Sequence, residues 1–349
     1  MPFALSAPFA SEILWLTLLA LLLDLMIGDP RWLPHPVVAL GRLIALLDKL
    51  WNHGRARAKR IKGVALVLVV VVLAWSLTAL VLALVAMVNT WLALMVEVLL
   101  LATCLAAHGL VAAAREVYIP LRRGDLVAAR KAVAALVGRD TRELDEAGVA
   151  RACVESVAEN TVDGITAPLF WVLVGGAPMA MAYKAVNTLD SMVGYRNERY
   201  TDFGWASARL DDIVNWLPAR LTAFAMWLTA PVLLSGHWRR TRMHLWKEAW
   251  RTTCREAPRH PSPNSGWPEA MVANLLGIQL GGRNVYAGQV SERARLGRPL
   301  QALHAGHIQE AILCLHAGTM GVVVMLVIAT PMITTLLEAI LAIWRGGAV

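Results

Sequence analysis

Apolar runs of membrane length alternate with short polar clusters along this chain, and their spacing predicts helices rather than strands. Residues 64–113 carry one charged side chain, Glu97. As one helix they would extend about 75 Å, so they must fold into two spans, with the turn at Asn89–Thr90. A third span is expected over 312–343, with Glu338 as its only charge and Pro331 as a kink or end. Residues 11–27 make a fourth, with Asp24 near the inner end. Two weaker segments are interrupted, 165–188 by Pro168, Gly175, Gly176 and Pro178, and 213–236 by Pro218 and Pro231. No alternating βα pattern is present. The expected fold is an all-α, polytopic integral membrane protein with about four to six membrane segments, depending on whether the broken pair crosses or re-enters.

Between the spans lie three polar stretches of one membrane domain, 1–349. They are a loop at 28–63, a helical segment at 114–164 and a longer segment at 237–311. In the second, an apolar-periodic helix around 125–137 ends near Gly138, and Thr141 precedes a capped helix over LDEAGVARACVESVAEN. The third opens as a basic helix halted by Pro258 and Pro261, with Trp238, Trp246 and Trp250 expected at the lipid interface. A turn-rich loop, PSPNSGWPEA at 261–270, and a glycine-rich stretch, 275–288, follow.

Charge sets the expected orientation. The 28–63 loop carries eight Lys/Arg against two acids, and 237–311 carries eleven against five. Both are expected in the cytoplasm, with both chain ends outside. The N-terminus has no Lys or Arg before Arg31 and no small-residue cleavage site, so it reads as a retained span. Of the 349 residues, 57% are hydrophobic and 17% charged, below the roughly 25% of soluble domains. The net charge of +8 fits this topology and an affinity for anionic lipid, with phosphate binding as the alternative. No basic patch interleaved with aromatics suggests nucleic acid. Four scattered cysteines indicate neither a disulfide framework nor a zinc site.

Candidate chemistry concentrates where polar residues crowd the apolar runs, since such groups need partners, a wet cavity or a ligand. Glu155, Glu159 and Asp163 stand four apart and would form one acidic stripe suited to Mg²⁺, or simply a solvated helix face. Asn160 and the Asp163–Gly164 turn beside an apolar segment favour a shaped end. Lys184, Asn187, Asp190 and Ser191 share another helical face, either as a structural ion pair or with Lys184 on a phosphate and Asp190 on a metal or an ammonium group. Asp211 and Asp212, flanked by Arg209 and Asn215, could serve likewise or act as helix caps. In GDPRWLPHPVVALGR, three prolines hold His35 in a rigid loop. His304, His307 and Glu310 spread around a helix and make a poor metal set. Walker A, G-x-G-x-x-G, H-E-x-x-H and G-x-S-x-G signatures are absent.

GDPRWLPHPV, RDTRELDEAGVARACVESVAENTVDGITAPLFW, YKAVNTLDSMVGYRNERYTDFGWASARLDD and PSPNSGWPEAMVANLLGIQLGG closely resemble the adenosylcobinamide-phosphate synthase family, in matching order from about residue 20 to 320. The resemblance implies an inner-membrane enzyme of late cobalamin biosynthesis, its active site facing the cytoplasm. Such an enzyme joins a cobyric acid propionate to aminopropanol phosphate, or aminopropanol, as an amide at the expense of ATP. Activation through an acyl phosphate needs acidic Mg²⁺ ligands, cationic phosphate contacts and a base for the ammonium group. On that reading Glu155, Glu159 and Asp163 hold Mg²⁺. Lys184 and Arg139 contact phosphates, and Asp190 or Asp211 orients or deprotonates the amine. Backbone N–H groups of the 262–266 loop and of Gly281–Gly282 would meet a phosphate or a corrin amide. Asn160, Asn187, Tyr195, Arg209, Asn264, Ser265 and His35 are assigned to substrate. Partners would be the two substrates, ATP, lipid and other late cobalamin-assembly enzymes. Two other classes compete. A non-catalytic membrane regulator would not need this density of carboxylates and amides. A Mg²⁺-dependent intramembrane prenyltransferase would consume polyprenyl diphosphate rather than corrinoid.

Overall fold

The computed structural model describes residues 7–28, 35–233, 236–286 and 288–346. In chain order its elements begin with α1 (Ala7–Ile27), α2 (Pro36–Trp51), α3 (Ala56–Val88), α4 (Thr90–Ala102), α5 (Ala107–Arg122) and α6 (Leu126–Val133). Next come α7 (Glu146–Thr161), α8 (Ala167–Val193), α9 (Trp205–Val214), α10 (Trp216–Leu233), α11 (Gly236–Glu256) and α12 (Gly266–Leu276). The strands β1 (Leu280–Tyr286) and β2 (Gln289–Leu296) and the helix α13 (Gly306–Gly346) complete the chain. A π-helical turn, Val162–Thr166, joins α7 to α8. Among the described residues four helical stretches are long and apolar enough to cross a membrane: Ala56–Val88, Thr90–Arg122, Glu146–Val193 and Gly306–Met332. The protein is therefore an all-α polytopic membrane protein. Its chain forms two compact units, one of Met1–Ala106, Pro168–Asp211 and Val323–Val349, the other of Ala107–Ala167 and Asp212–Val322.

In the first unit the long apolar run divides at Asn89, where the backbone is extended and the Asn89 carboxamide accepts the Leu92 N–H at 3.0 Å, capping α4. The 28–63 stretch is not all loop. Within it α2 is amphipathic, burying Leu40, Ile44 and Asp48 at four-residue spacing as it packs against α3. His35 caps this helix, its Nδ1 accepting the Val37 N–H at 3.3 Å. Residues 29–34 of the same motif lie outside the described residues.

Buried Asp48 ties the segment after α8 to α2: Arg199 Nη2 donates to Oδ2 at 2.6 Å and the Tyr200 hydroxyl at 3.2 Å. Arg60, at the basic start of α3, pairs with Asp202 at 3.5 Å and lies over Trp205. Gly63 lets α3 come so close to the Phe203 carbonyl that a Cβ would not fit. The 194–204 segment thus lies against the basic end of α3.

The weaker apolar segment 165–188 belongs to α8, which breaks at Gly175–Gly176. Gly176 adopts φ 65°, a conformation open to glycine. The second half of α8 then starts with its Ala177 N–H donating to Glu97 Oε1 at 3.4 Å. A carboxylate suits a helix N-terminus, where N–H groups are unpaired and the dipole is positive. Glu97, the lone charge of the 64–113 run, is therefore a cap supplied in trans. Pro331 does not end its helix, since α13 continues to Gly346.

In the second unit Asp145 caps α7 by accepting the Gly148 N–H at 2.7 Å, a role the sequence suggested for Thr141. Trp246 and Trp250 are not simple lipid anchors, because they join an aromatic ladder. Trp246 stacks on Trp227 with centroids 5.3 Å apart, and each indole N–H donates to the other's carbonyl. Trp250 contacts Phe224 and Trp267, linking α10, α11 and α12. The side chain of Trp238 lies outside the described residues. Among the described residues the strands form one antiparallel hairpin, β1–β2, with Gly282 opposite Arg293, Tyr286 opposite Gln289 and a bulge between Leu280 and Gly282.

A topology reporter inserted within 195–198 should report the same membrane side as one inserted at 52–55, because 194–204 packs on the basic end of α3. Opposite signals would contradict this arrangement.

Candidate active site

Three distant segments of the second unit meet around Glu155, a carboxylate on α7 that is only 3% exposed. Arg139, also buried, pairs with Glu155 Oε2 and donates to Asn284 Oδ1 at 2.6 Å. The Gly281 N–H donates to Glu155 Oε1 at 2.7 Å. A second arginine of this unit, Arg151, donates to the carbonyls of Gly281 and Arg283, the latter at 2.9 Å. Gly281 has φ 79°, and a Cβ there would strike the Ala294 carbonyl. The glycine run is thus the only backbone that lets β1 lie on these groups. Arg139, expected on phosphate, and Glu155, expected on a metal, are each other's partner here.

One turn along α7, half-buried Glu159 accepts the Ser265 hydroxyl at 2.7 Å, and Ser265 also reaches the Ser262 hydroxyl at 3.2 Å. Asn264, buried, donates to the Asp212 carbonyl at 2.9 Å, while its Oδ1 has no protein partner. Below this loop Glu269 on α12 is fully enclosed. Burial first, then the neighbouring charges of Glu155 and Glu159, push its carboxyl well above the usual carboxylate range, against the pull of Arg293 and Arg139. His260 Nε2 stands 3.7 Å from Glu269 Oε1. Burial holds the imidazole below its ordinary value. Nδ1 faces Ser262, 3.1 Å from its N–H and 3.2 Å from its carbonyl oxygen. Both shifts disfavour the charged forms, so burial works against an ion pair here.

The acidic triplet is not a preformed cage. Glu155 turns to Arg139, Asp163 sits in the π-helical turn that interrupts the helical register, and no three His, Cys, Asp or Glu side chains among the described residues are arranged to hold a metal. Asn160 donates to the Ser156 carbonyl at 2.8 Å. His307 accepts the His304 N–H at 3.2 Å and Glu310 pairs with Arg242 at 2.8 Å, so that trio serves the start of α13. Beside the Glu155 anchor a cleft of about 430 Å³ is lined by Gly148, Arg151, Gln279, Gly282, Arg283 and Arg295, among others.

In the first unit Lys184, Asn187 and Asp190 recur at three-residue spacing on α8, each half-buried, with buried residues filling the positions between them and exposed Ser191 following. The polar face expected from the sequence is therefore the less buried face. Tyr195 and Arg209 are exposed, and Asp211 is half-buried on α9. Sequence reading passed over Glu269, His260, Arg151, Arg283 and Arg295. The signal for Glu269 lay inside PSPNSGWPEA, as an acid placed directly after the proline-rich turn.

Residues 17–315 match the family described as CobD/Cbib protein. The chain is 48% identical over 307 residues to a protein of Halalkalibacterium halodurans named Cobalamin biosynthesis protein CobD, covering 88% of this chain and 93% of the relative. A Klebsiella pneumoniae protein of the same name is 47% identical over 295 residues (84% and 90%). The Salmonella typhi Cobalamin biosynthesis protein CbiB is 42% identical over 296 residues (84% and 90%). No solved structure matches.

Arg139→Met should cost about 3–5 kcal/mol by stranding a buried carboxylate, and adding Glu155→Met should recover much of it; thermal unfolding in detergent checks both. Glu269 generates a pH dependence of defined sign. Its folded pKa lies above the unfolded value, so its contribution to stability is present at low pH and lost as pH rises through the folded pKa. Glu269→Gln, which cannot ionise, should gain thermal stability relative to wild type as pH rises from about 5 to 9.

Proposed function

The chain belongs to the CobD/CbiB family, and from that membership we propose that this cobalamin biosynthesis protein is an ATP-dependent acid–amine ligase of the inner membrane. It joins a cobyric acid propionate to (R)-1-amino-2-propanol phosphate, or aminopropanol, with the chemistry on the cytoplasmic face. The observation that carries the reading is half-buried Glu159, one turn along α7 from Glu155, together with an arginine-lined cleft on a glycine-rich hairpin beside that anchor. Phosphoryl transfer from ATP requires negative metal ligands and positive phosphate contacts of this kind.

The propionate oxygen attacks the γ-phosphorus, the bond to the β-phosphate bridging oxygen breaks, and ADP departs. The amine nitrogen then attacks the acyl carbon and inorganic phosphate leaves, while a carboxylate base takes the ammonium proton. Mg²⁺ keeps several waters and needs only one or two carboxylates plus substrate phosphates, so the hard oxygens present fit it without a closed cage. Glu159 would hold it, with Glu155 and Asp163 four residues to either side, and it would supply charge neutralisation at the phosphates. Asp190 or Asp211 receives the amine proton, and Lys184 meets a phosphate. Asn160, Asn187, Tyr195, Arg209, Asn264, Ser265 and His35 are the residues we assign to substrate.

Membranes containing the protein should convert cobyric acid to its amide only with both ATP and the amine. Glu159→Gln, Lys184→Ala and Asp190→Asn should each lower turnover about a hundredfold or more, the usual scale for a charged or acid–base group. Near-normal turnover by folded variants would place the chemistry elsewhere.

A further inference from the structure

The cleft beside the Glu155 anchor has features the carboxylate cluster does not use. Its wall carries three arginines, Arg151, Arg283 and Arg295, against one acid, Asp145, whose Oδ1 already accepts the Gly148 N–H. Arg151 is fixed by the hairpin carbonyls, and its buried Nε has no protein partner. Arg283 and Arg295 are exposed and carry no carboxylate partner among the described residues. Between them the floor is Gly281–Gly282, two successive residues at φ 79°. A Cβ on Gly282 would stand 3.4 Å from Arg151 Nη1 and 3.8 Å from Arg295 Nε, so the missing side chain keeps the guanidinium groups open to the cleft. The first turn of α7 also lines the cleft, placing the positive end of a 16-residue helix there.

An excess of guanidinium groups over carboxylates in the lining, a helix N-terminus and a glycine floor together suit a tetrahedral, multiply charged anion. We infer that this cleft, lined by Arg151, Arg283, Arg295 and Gly282, is a phosphate-binding site. The inference rests on the proposed ligation, which brings two phosphate-bearing substrates, the nucleotide triphosphate and the amine's phosphomonoester. It also moves the phosphate contacts from Arg139, which is committed to Glu155, to side chains free to meet a ligand. Binding should weaken as ionic strength rises, because two of the three arginines are exposed.

Titration calorimetry on the full chain in detergent, with ATP, inorganic triphosphate and aminopropanol phosphate as separate probes, tests this without needing turnover. Arg283→Glu and Arg295→Glu should each weaken a phosphate probe about tenfold or more, while Arg255→Glu, on exposed α11 surface, should not. Gly282→Ala provides a variant without charge reversal and should weaken the same probe. Loss confined to ATP and triphosphate assigns the cleft to the nucleotide, and loss confined to the phosphomonoester assigns it to the amine. Unchanged affinity for every probe, or no binding by wild type, overturns the inference. Phosphate binding here by a protein that cannot amidate cobyric acid would sink the ligase reading alone.

Discussion

The buried pairing of Arg139 with Glu155 is the constraint on which the second unit depends. Removing two charges from water costs several kcal/mol per ion, which is offset only when geometry is close and remaining lone pairs are used. Here both conditions are met, since the Gly281 N–H takes the other carboxylate oxygen and Asn284 takes a second guanidinium nitrogen. One ion pair therefore fixes a loop, a helix and a hairpin that are far apart in the chain. With Arg139 committed to Glu155, burial and the neighbouring carboxylates raise the Glu269 carboxyl well above the usual range.

Much of the membrane architecture was legible because hydrocarbon length and helical period leave few alternatives. The division at Asn89 was readable from an uncharged run too long to be one span, and the broken α8 from its adjacent glycines. The hairpin was not. LGGRNVY and QVSERARL do not alternate apolar and polar residues, and β1 is held by Glu155 and Arg151, partners that no local pattern reveals. The site was half legible for a related reason. Glu159, Ser265 and Asn264 were found from polar residues crowding an apolar chain, and the structure brings Glu159 and Ser265 together. Arg139 looked like a phosphate contact because nothing in its own segment shows that Glu155 has claimed it. Glu269 depends on enclosure, which spacing does not encode.

Each unit handles buried carboxylates in a similar way. At three of the described carboxylates taken out of water, backbone N–H groups or an arginine are brought to them, whereas Glu269 is met by His260. Glu155 has Arg139 and Gly281, Asp48 has Arg199 and Tyr200, and Glu97 has the opened start of a helix. Exposed Arg199 makes its pair modest in energy, so the value of the Asp48 contact lies in placing the 194–204 segment rather than in stabilising the fold.

The break in α8 has a consequence for what the chain can tolerate over evolutionary time. From Ala177 to Val193 the helix rises about 25 Å, short of the roughly 30 Å hydrocarbon core. One end is pinned by Glu97, and the segment beyond the other is pinned by Asp48. An inserted or deleted residue between Ala177 and Lys184 would turn Lys184, Asn187 and Asp190 by about 100° around the axis. Neither pinned end could slide to absorb it. The spacing from the glycine pair to the polar face is therefore a fixed ruler, and length there should be guarded more strictly than the identity of the apolar residues that fill it.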